Sequence, residues 1–392
     1  MVALKELLTF SGSALGPRTD ESIRRMQSVL QRSLKQDSAA VLAAVGSPDV
    51  MVPLLSMAAG LRAPLDVAPD MMVALFASLA AESVPLEEAL VWEEPVGTLP
   101  VPREGTLEFE PPAKALLVDP AGLAVELADG QRIDINEFDG IDAAGVRVGH
   151  RFVAIGPRHL DVHLSLHDSN PLALEEAHPD KDGNTVTLGD KSLDAWLAAL
   201  NEALELIRLG LPEWYEELRD TTVRVLPVGY EPEMHLSASY REAPGVVYLT
   251  LHPDPLTMAE ALVHETQHGK LNLLTWLDPV LHNAYTSWSA SPVRPDLRPI
   301  MGVFLAVHAF VPVAALHARL AAANHALAQT RRFAERRAEV MAGNAGGLAV
   351  VRNTAEPTAM GARVLGGLQS VHEVLMGLVD ASDWSDDALP MG

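Results

Sequence analysis

The sequence contains no cysteine. That excludes disulfides, zinc knuckles, iron–sulfur clusters and thiol nucleophiles, and leaves His, Asp and Glu as the only strong metal ligands. It also fits a reducing compartment, so a cytoplasmic location is expected. Basic residues are scarce: 29 Lys and Arg stand against 52 Asp and Glu, for a net charge of −23. Such a surface repels polyphosphate and anionic lipid. Neither nucleic acid nor a membrane is expected as a partner, whereas a basic peptide is tolerated. Long apolar runs are lacking too. The longest, 300–316, is shorter than the roughly 20 residues that span a bilayer, and it contains His308 and Pro312. The opening Met-Val-Ala-Leu-Lys-Glu has no apolar signal core.

What is present is globular in composition, 48% hydrophobic, enough for two or three domains' worth of core. Residues 1–95 read as helical: Asp20 can cap a helix that carries Ile23, Met26, Leu30 and Leu34 on one face. A Pro/Gly-rich stretch at 95–102 reads as a boundary. Residues 96–168 then read as a small β-rich region, with short runs at 106–109, 115–118, 123–127 and 132–135 separated by turn signals. A last strand is expected over 159–167, where His159, His163 and His167 share one face and are expected to be solvated.

Residues 169–392 form the third region. Ser192 is a candidate N-cap for an amphipathic helix ending at Gly210. Strands are expected at 222–228 and 246–251. Another helix starts near Asp254-Pro255, an apolar one covers 300–327, the glycines at 343–347 break the pattern, and a final helix covers 361–379. The fold class expected is α+β, mostly helical, with the motif helix packed on a second buried helix.

The motif is His264-Glu265-Thr266-Gln267-His268, an H-E-x-x-H. On a helix, positions i and i+4 share a face, so two imidazoles can converge on one divalent metal. Leu256, Ala259, Leu262 and Val263 before it, and Leu271 and Leu274 after it, carry the helical period. A third protein ligand is required. The extended zinc motif H-E-x-x-H-x-x-G-x-x-H would place it at Leu274, which excludes that class. His308 is favoured instead, with His282, His317, Asp278 and Asp296 in reserve. Arg294 and Arg298, just before the 300–327 helix, suit a clamp for an anionic cosubstrate.

The segments 234–251 and 261–271, the Arg294-Pro295-Asp296-Leu297-Arg298-Pro299 stretch, the His308 helix and Asp168-Ser169-Asn170-Pro171 together resemble the HExxH motif-containing peptide-modification proteins of ribosomal peptide natural-product systems. The resemblance covers roughly 160–350. It implies an Fe(II)/2-oxoglutarate-dependent dioxygenase that hydroxylates a side-chain β-carbon of a precursor peptide. It implies a fold unlike the double-stranded β-helix, and a radical enzyme of the same pathway as a possible associate. By the same resemblance His264, His268 and His308 bind iron, and Arg294 or Arg298 holds 2-oxoglutarate. The role of Glu265 is left open between base, ligand orienter and substrate contact. Two alternatives stand beside this: a zinc metallopeptidase with Glu265 as general base, and a non-catalytic, metal-containing peptide-binding protein.

Overall fold

The computed structural model describes residues 2–379, apart from 136, 137, 139, 140, 142, 176, 179, 180 and 291–295. The chain is a mixed α+β protein in which helix dominates. Among the described residues no sheet closes into a barrel. The chain divides into two compact units.

The first unit takes Met1–Ala154, His163–Thr187 and Arg224–Val228. It begins with helices α1 (Val2–Thr9), α2 (Pro17–Gln36), α3 (Ser38–Gly46), α4 (Pro48–Ala58) and α5 (Pro64–Ala81). Proline opens α2, α4 and α5, where its missing N–H costs nothing. The strands that follow are β1 (Leu90–Trp92), β2 (Val96–Val101), β3 (Gly105–Ala113), β4 (Ala115–Asp119), β5 (Gly122–Glu126), β6 (Arg132–Asp134) and β7 (Val146–Arg151). Next come β8 (Val153–Ile155), β9 (Val162–Leu164), β10 (Ala177–His178), β11 (Lys181–Asp182) and β12 (Arg224–Tyr230). One sheet has the order β1-β4-β5-β6 and another β2-β3-β7. Helix α5 packs on β2, β4 and β5, burying Met71, Met72, Leu75 and Phe76, with Phe76 tilted against Trp92. Strands β9 and β12 pair in parallel, Arg224 opposite His163.

The second unit takes Ile155–Val162, Leu188–Val223 and Gly229–Gly392. Its helices are α6 (Leu193–Gly210), α7 (Pro212–Thr221), α8 (Pro255–Thr275), α9 (Ile300–Ala322), α10 (Arg331–Thr354) and α11 (Ala359–Val379). Its strands are β13 (Ser237–Ala238) antiparallel to β14 (Val246–Leu251), and the hairpin β15 (Trp288–Ala290) with β16 (Leu297–Pro299). The Ser192 hydroxyl caps α6 by accepting from Ala195 N–H at 3.2 Å, and Trp196, Leu200, Leu204 and Ile207 form its buried face. Helix α9 packs against α6, α8, α10 and α11. Leu271 of α8 shares a core with Ile300, Phe304 and Val307 of α9.

The expected regions 1–95 and 96–168 lie largely in the first unit, and most of 169–392 in the second. Four expectations differ from the structure. Asp20 does not cap α2, because the helix already begins at Pro17 after Gly16 and Asp20 lies in its first turn. The Pro-rich stretch is the edge strand β2, where Pro100 faces no partner that needs its N–H. The strand over 159–167 shrinks to β9, because Arg158–Leu160 forms a 3₁₀ turn and Asp161 adopts a left-handed backbone at φ +53°. The glycines at 343–347 sit inside α10 rather than breaking it. There Asn344 donates to the Phe310 carbonyl of α9 at 2.9 Å, and tertiary packing overrides helix propensity.

Two described helices, α5 and α9, are long and apolar enough to cross a membrane. The apolar windows of these helices are 61% and 78% buried within the protein.

Asp49 of α4 is the polar anchor of the first unit. Arg224 binds it bidentately at 2.7 and 2.8 Å, and His167 Nε2 lies 3.3 Å away. Burial pushes its carboxyl up, but Arg224 and His167 more than reverse this and hold it well below the usual carboxylate range. Arg224 also lies over the Phe152 ring at 4.6 Å. Asp49→Ala strands a buried guanidinium and is expected to cost about 3–5 kcal/mol. Urea unfolding measures this; a loss below about 1 kcal/mol would refute the anchor role.

Candidate metal centre

The motif helix is positioned from its first residue. Asp254 caps α8 by accepting from Leu256 N–H at 3.1 Å, with Pro255 in the first turn. His252 Nδ1 accepts from Asp254 N–H at 3.0 Å just ahead of the cap. Along the helix, Glu260 sits one turn before His264 and is buried. It accepts from His317 Nε2 of α9 at 2.7 Å and from Arg336 of α10 at 2.8 and 2.9 Å.

His264 and His268 come together as their spacing requires. The ring centroids are 4.3 Å apart and the planes nearly perpendicular. His264 also meets the Phe310 ring of α9 edge-on at 4.5 Å. The Nδ1 atoms of both histidines are shielded from solvent and have no hydrogen-bond partner. Burial, then the neighbouring His268, pushes His264 well below the ordinary imidazole range. Burial also lowers His268, against the opposing pull of Glu265. Both rings are therefore neutral at pH 7, the form that binds a metal.

Glu265 does not stand free beside them. Its two carboxylate oxygens accept from Ser237 at 2.6 Å and Ser239 at 2.7 Å, and Oε1 lies 4.0 Å from His264 Nε2. His308 is buried on α9, where burial, His268 and Lys270 lower it to about 3. It makes a hydrogen bond with the Gln267 backbone, and its Nδ1 is unpartnered. Among the described residues, however, no three His, Asp or Glu side chains lie close enough together to hold a metal ion. The structure thus brings the two motif histidines together and leaves His308 nearby, outside any group of three that could hold a metal among the described residues.

Of the reserve ligands, His317, Asp278 and Asp296 are engaged elsewhere, and the His282 backbone N–H donates to the Glu356 carbonyl at 2.8 Å. His317 serves Glu260. Asp278 accepts from Thr358 and Val280 at 2.6 and 2.7 Å, and Asp296 pairs with Arg298 at 3.4 Å. Arg298 lies alongside Gly302 at the start of α9. Arg294 lies outside the described residues. His159 and His167 serve separate carboxylates, Glu216 and Asp49, rather than one patch.

Four contributors went unread in the sequence. Ser237 and Ser239 hold Glu265, and Arg336 holds Glu260, whose i, i+4 spacing from His264 was the available signal. The fourth is His235, whose Nε2 is buried without a partner and whose ring faces His252 at 6.3 Å. Burial, then His252, lowers it to about 4. A scan of protein-family models and a search of curated proteins return no match.

The donor set suits a first-row divalent ion in part: two neutral imidazoles, each with an uncommitted nitrogen. The same neutrality has a consequence for the metal-free protein. In the unfolded chain His235 and His308 take up protons below about pH 6.5, whereas in the fold they stay neutral until about 4 and 3. The unfolded state then binds more protons, so stability falls as pH drops from about 6.5 toward 4. A loss of roughly 1–2 kcal/mol per pH unit is expected from urea midpoints in chelator. His308→Leu should flatten the slope; an unchanged slope would contradict the assignment.

Proposed function

We propose that this chain is a cytoplasmic, metal-dependent peptide-modifying enzyme, with His264 and His268 as two ligands and His308 as the third. The pair of facing, neutral imidazoles with unpartnered Nδ1 atoms carries the metal reading. The packing of α8 against α9 supports it by bringing His308 into the neighbourhood of His268. The resemblance described above makes the ion Fe(II) and the reaction a 2-oxoglutarate-dependent hydroxylation at a side-chain β-carbon of a ribosomally made precursor peptide. When bound, such an ion supplies oxidative chemistry that amino-acid side chains lack.

The protein's own groups have separable tasks in this reading. His264 and His268 bind, and Phe310 packs edge-on against the His264 ring and steadies it. Glu260 and Arg336 fix the turn that carries His264. Glu265 is a positioning group, because both of its oxygens already accept hydroxyl hydrogens from Ser237 and Ser239. Each oxygen keeps a further lone pair, so these contacts fix the orientation of the carboxylate without removing its capacity to take a proton, and the reaction test below separates this reading from the zinc peptidase. Arg294 and Arg298 remain the proposed clamp for the cosubstrate carboxylate.

The test is anaerobic loading with Fe(II), followed by oxygen, 2-oxoglutarate and the peptides encoded beside the gene. Expected are a gain of one oxygen atom on the peptide and one succinate per turnover. His264→Ala and His268→Ala should each lower Fe(II) affinity by at least about tenfold in calorimetry. Cleavage of the peptide with Zn(II) alone would overturn the oxygenase in favour of the hydrolase.

A further inference from the structure

A cavity of about 550 Å³ in the second unit has His308 and Gln267 of the motif in its wall. It therefore adjoins the proposed centre from the α9 side, and it has room for a side chain with part of its main chain. The floor is apolar: Leu211, Val311, Ala315 and Leu368 line it, all of them buried. The rest of the wall is polar, and its groups are not equivalent. Glu217 accepts from Lys270 at 2.6 Å, and Glu213 accepts from Arg319 at 3.3 Å. Lys270 also lies 5.3 Å from the centre of the Trp214 ring. Arg363 is exposed, and among the described residues no hydrogen bond or ion pair reaches it. Each carboxylate of the wall already has a cationic partner, whereas this guanidinium has none. A guanidinium only donates, so the group it takes is an oxygen.

Gly367 is an independent feature of the same cavity. It lines the cavity from within α11, well inside the helix. Glycine destabilises a helix interior, and a close approach by another element is a common reason for one. No such approach exists here. A Cβ added at Gly367 would meet no atom within 4 Å outside its own stretch of helix. The glycine therefore leaves open space beside an apolar floor, space that a larger residue would take up.

An apolar floor with one uncommitted donor beside it matches a bulky apolar side chain whose main-chain carbonyl reaches that donor. We infer that this cavity is a recognition pocket for the peptide substrate. It seats a side chain the size of leucine, methionine or phenylalanine, next in the peptide to the residue to be modified, and Arg363 donates to a main-chain carbonyl of that segment. A cationic side chain gains nothing comparable, because both carboxylates of the wall already hold a cation. The inference rests on the peptide-modifying reading only in naming the occupant; the preference of the pocket is measured without metal.

Fluorine NMR with the metal-free full chain tests it. The probe is acetyl-Gly-(4-fluoro-Phe)-Gly amide, and saturable broadening of its signal is expected. Unlabelled acetyl-Gly-Leu-Gly amide should displace the probe at least about tenfold better than the Ala or Lys peptide, through the extra apolar surface it buries. Arg363→Gln should weaken the probe about fivefold, through loss of a charge-assisted hydrogen bond. Gly367→Leu should weaken it at least about tenfold while the thermal midpoint holds or rises, because leucine favours helix. Equal displacement by the Leu and Ala peptides, or undiminished binding in either variant, would overturn the pocket. The proposed reaction fails separately. A peptide that binds in this way but is left unchanged in the Fe(II) assay refutes the reaction and upholds the pocket. Turnover that ignores the apolar residue and survives Gly367→Leu refutes the pocket and upholds the reaction.

Discussion

The rotation of the motif helix depends on one buried carboxylate. Glu260 of α8 accepts from His317 of α9 and Arg336 of α10, so three helices meet on a single side chain. Burial raises its carboxyl, but the hydrogen bond and charge of His317, with Arg336, outweigh that and keep it below the ordinary range. A carboxylate this enclosed is tolerable only when fully partnered. Turning α8 by one residue swings the side chain about 100° and breaks every bond. His264, one turn on, inherits that fixed face.

A second carboxylate locks the helix from another direction. Glu265 points roughly a quarter-turn away from His264 and is held by Ser237 and Ser239. Thr266 meets Thr222 of the loop after α7 at 3.0 Å, and Lys270 reaches Glu217 of α7 at 2.6 Å. With so many polar groups paired off, the unpartnered Nδ1 atoms of His264 and His268 stand out. Charging either ring in this setting is unfavourable, so the pair stays neutral and able to donate a lone pair. The arrangement favours an electron-pair acceptor over a proton.

What could be read in advance was local. Asp254-Pro255 and Ser192 announced helix starts because a cap acts within three residues. The i, i+4 histidines announced a shared face for the same reason. The Glu260 network could not be read this way, since its partners lie 57 and 76 residues further on. The same limit explains the two misread backbone signals. Gly343, Gly346 and Gly347 weaken a helix in isolation, but α10 is held against α9 through Asn344 and its buried face. Pro100 weakens a central strand, but β2 lies at a sheet edge, a position that composition does not reveal. Nor did the H-E-x-x-H spacing show that Glu265 would find two serine hydroxyls, which fix its orientation without altering the motif.

Each unit is organised around the same device. In the first, Asp49 is gripped by Arg224 and approached by His167; in the second, Glu260 is gripped by Arg336 and hydrogen-bonded by His317. Apolar residues of equal volume would fill either place at little or no loss of stability. What the charged cluster adds is intolerance of misalignment. An apolar contact weakens gradually as elements slide, whereas a buried carboxylate that loses its arginine is left with an uncompensated charge. Asp49 and Arg224 are 175 residues apart, so their pairing forms only when α4 and β12 meet in one register. A chain with few aromatics and no cysteine has few large rings and no disulfides to fix its elements. Placing one enclosed carboxylate at the junction of distant segments achieves that fixation, and in the second unit it does so one turn from His264 of the motif pair.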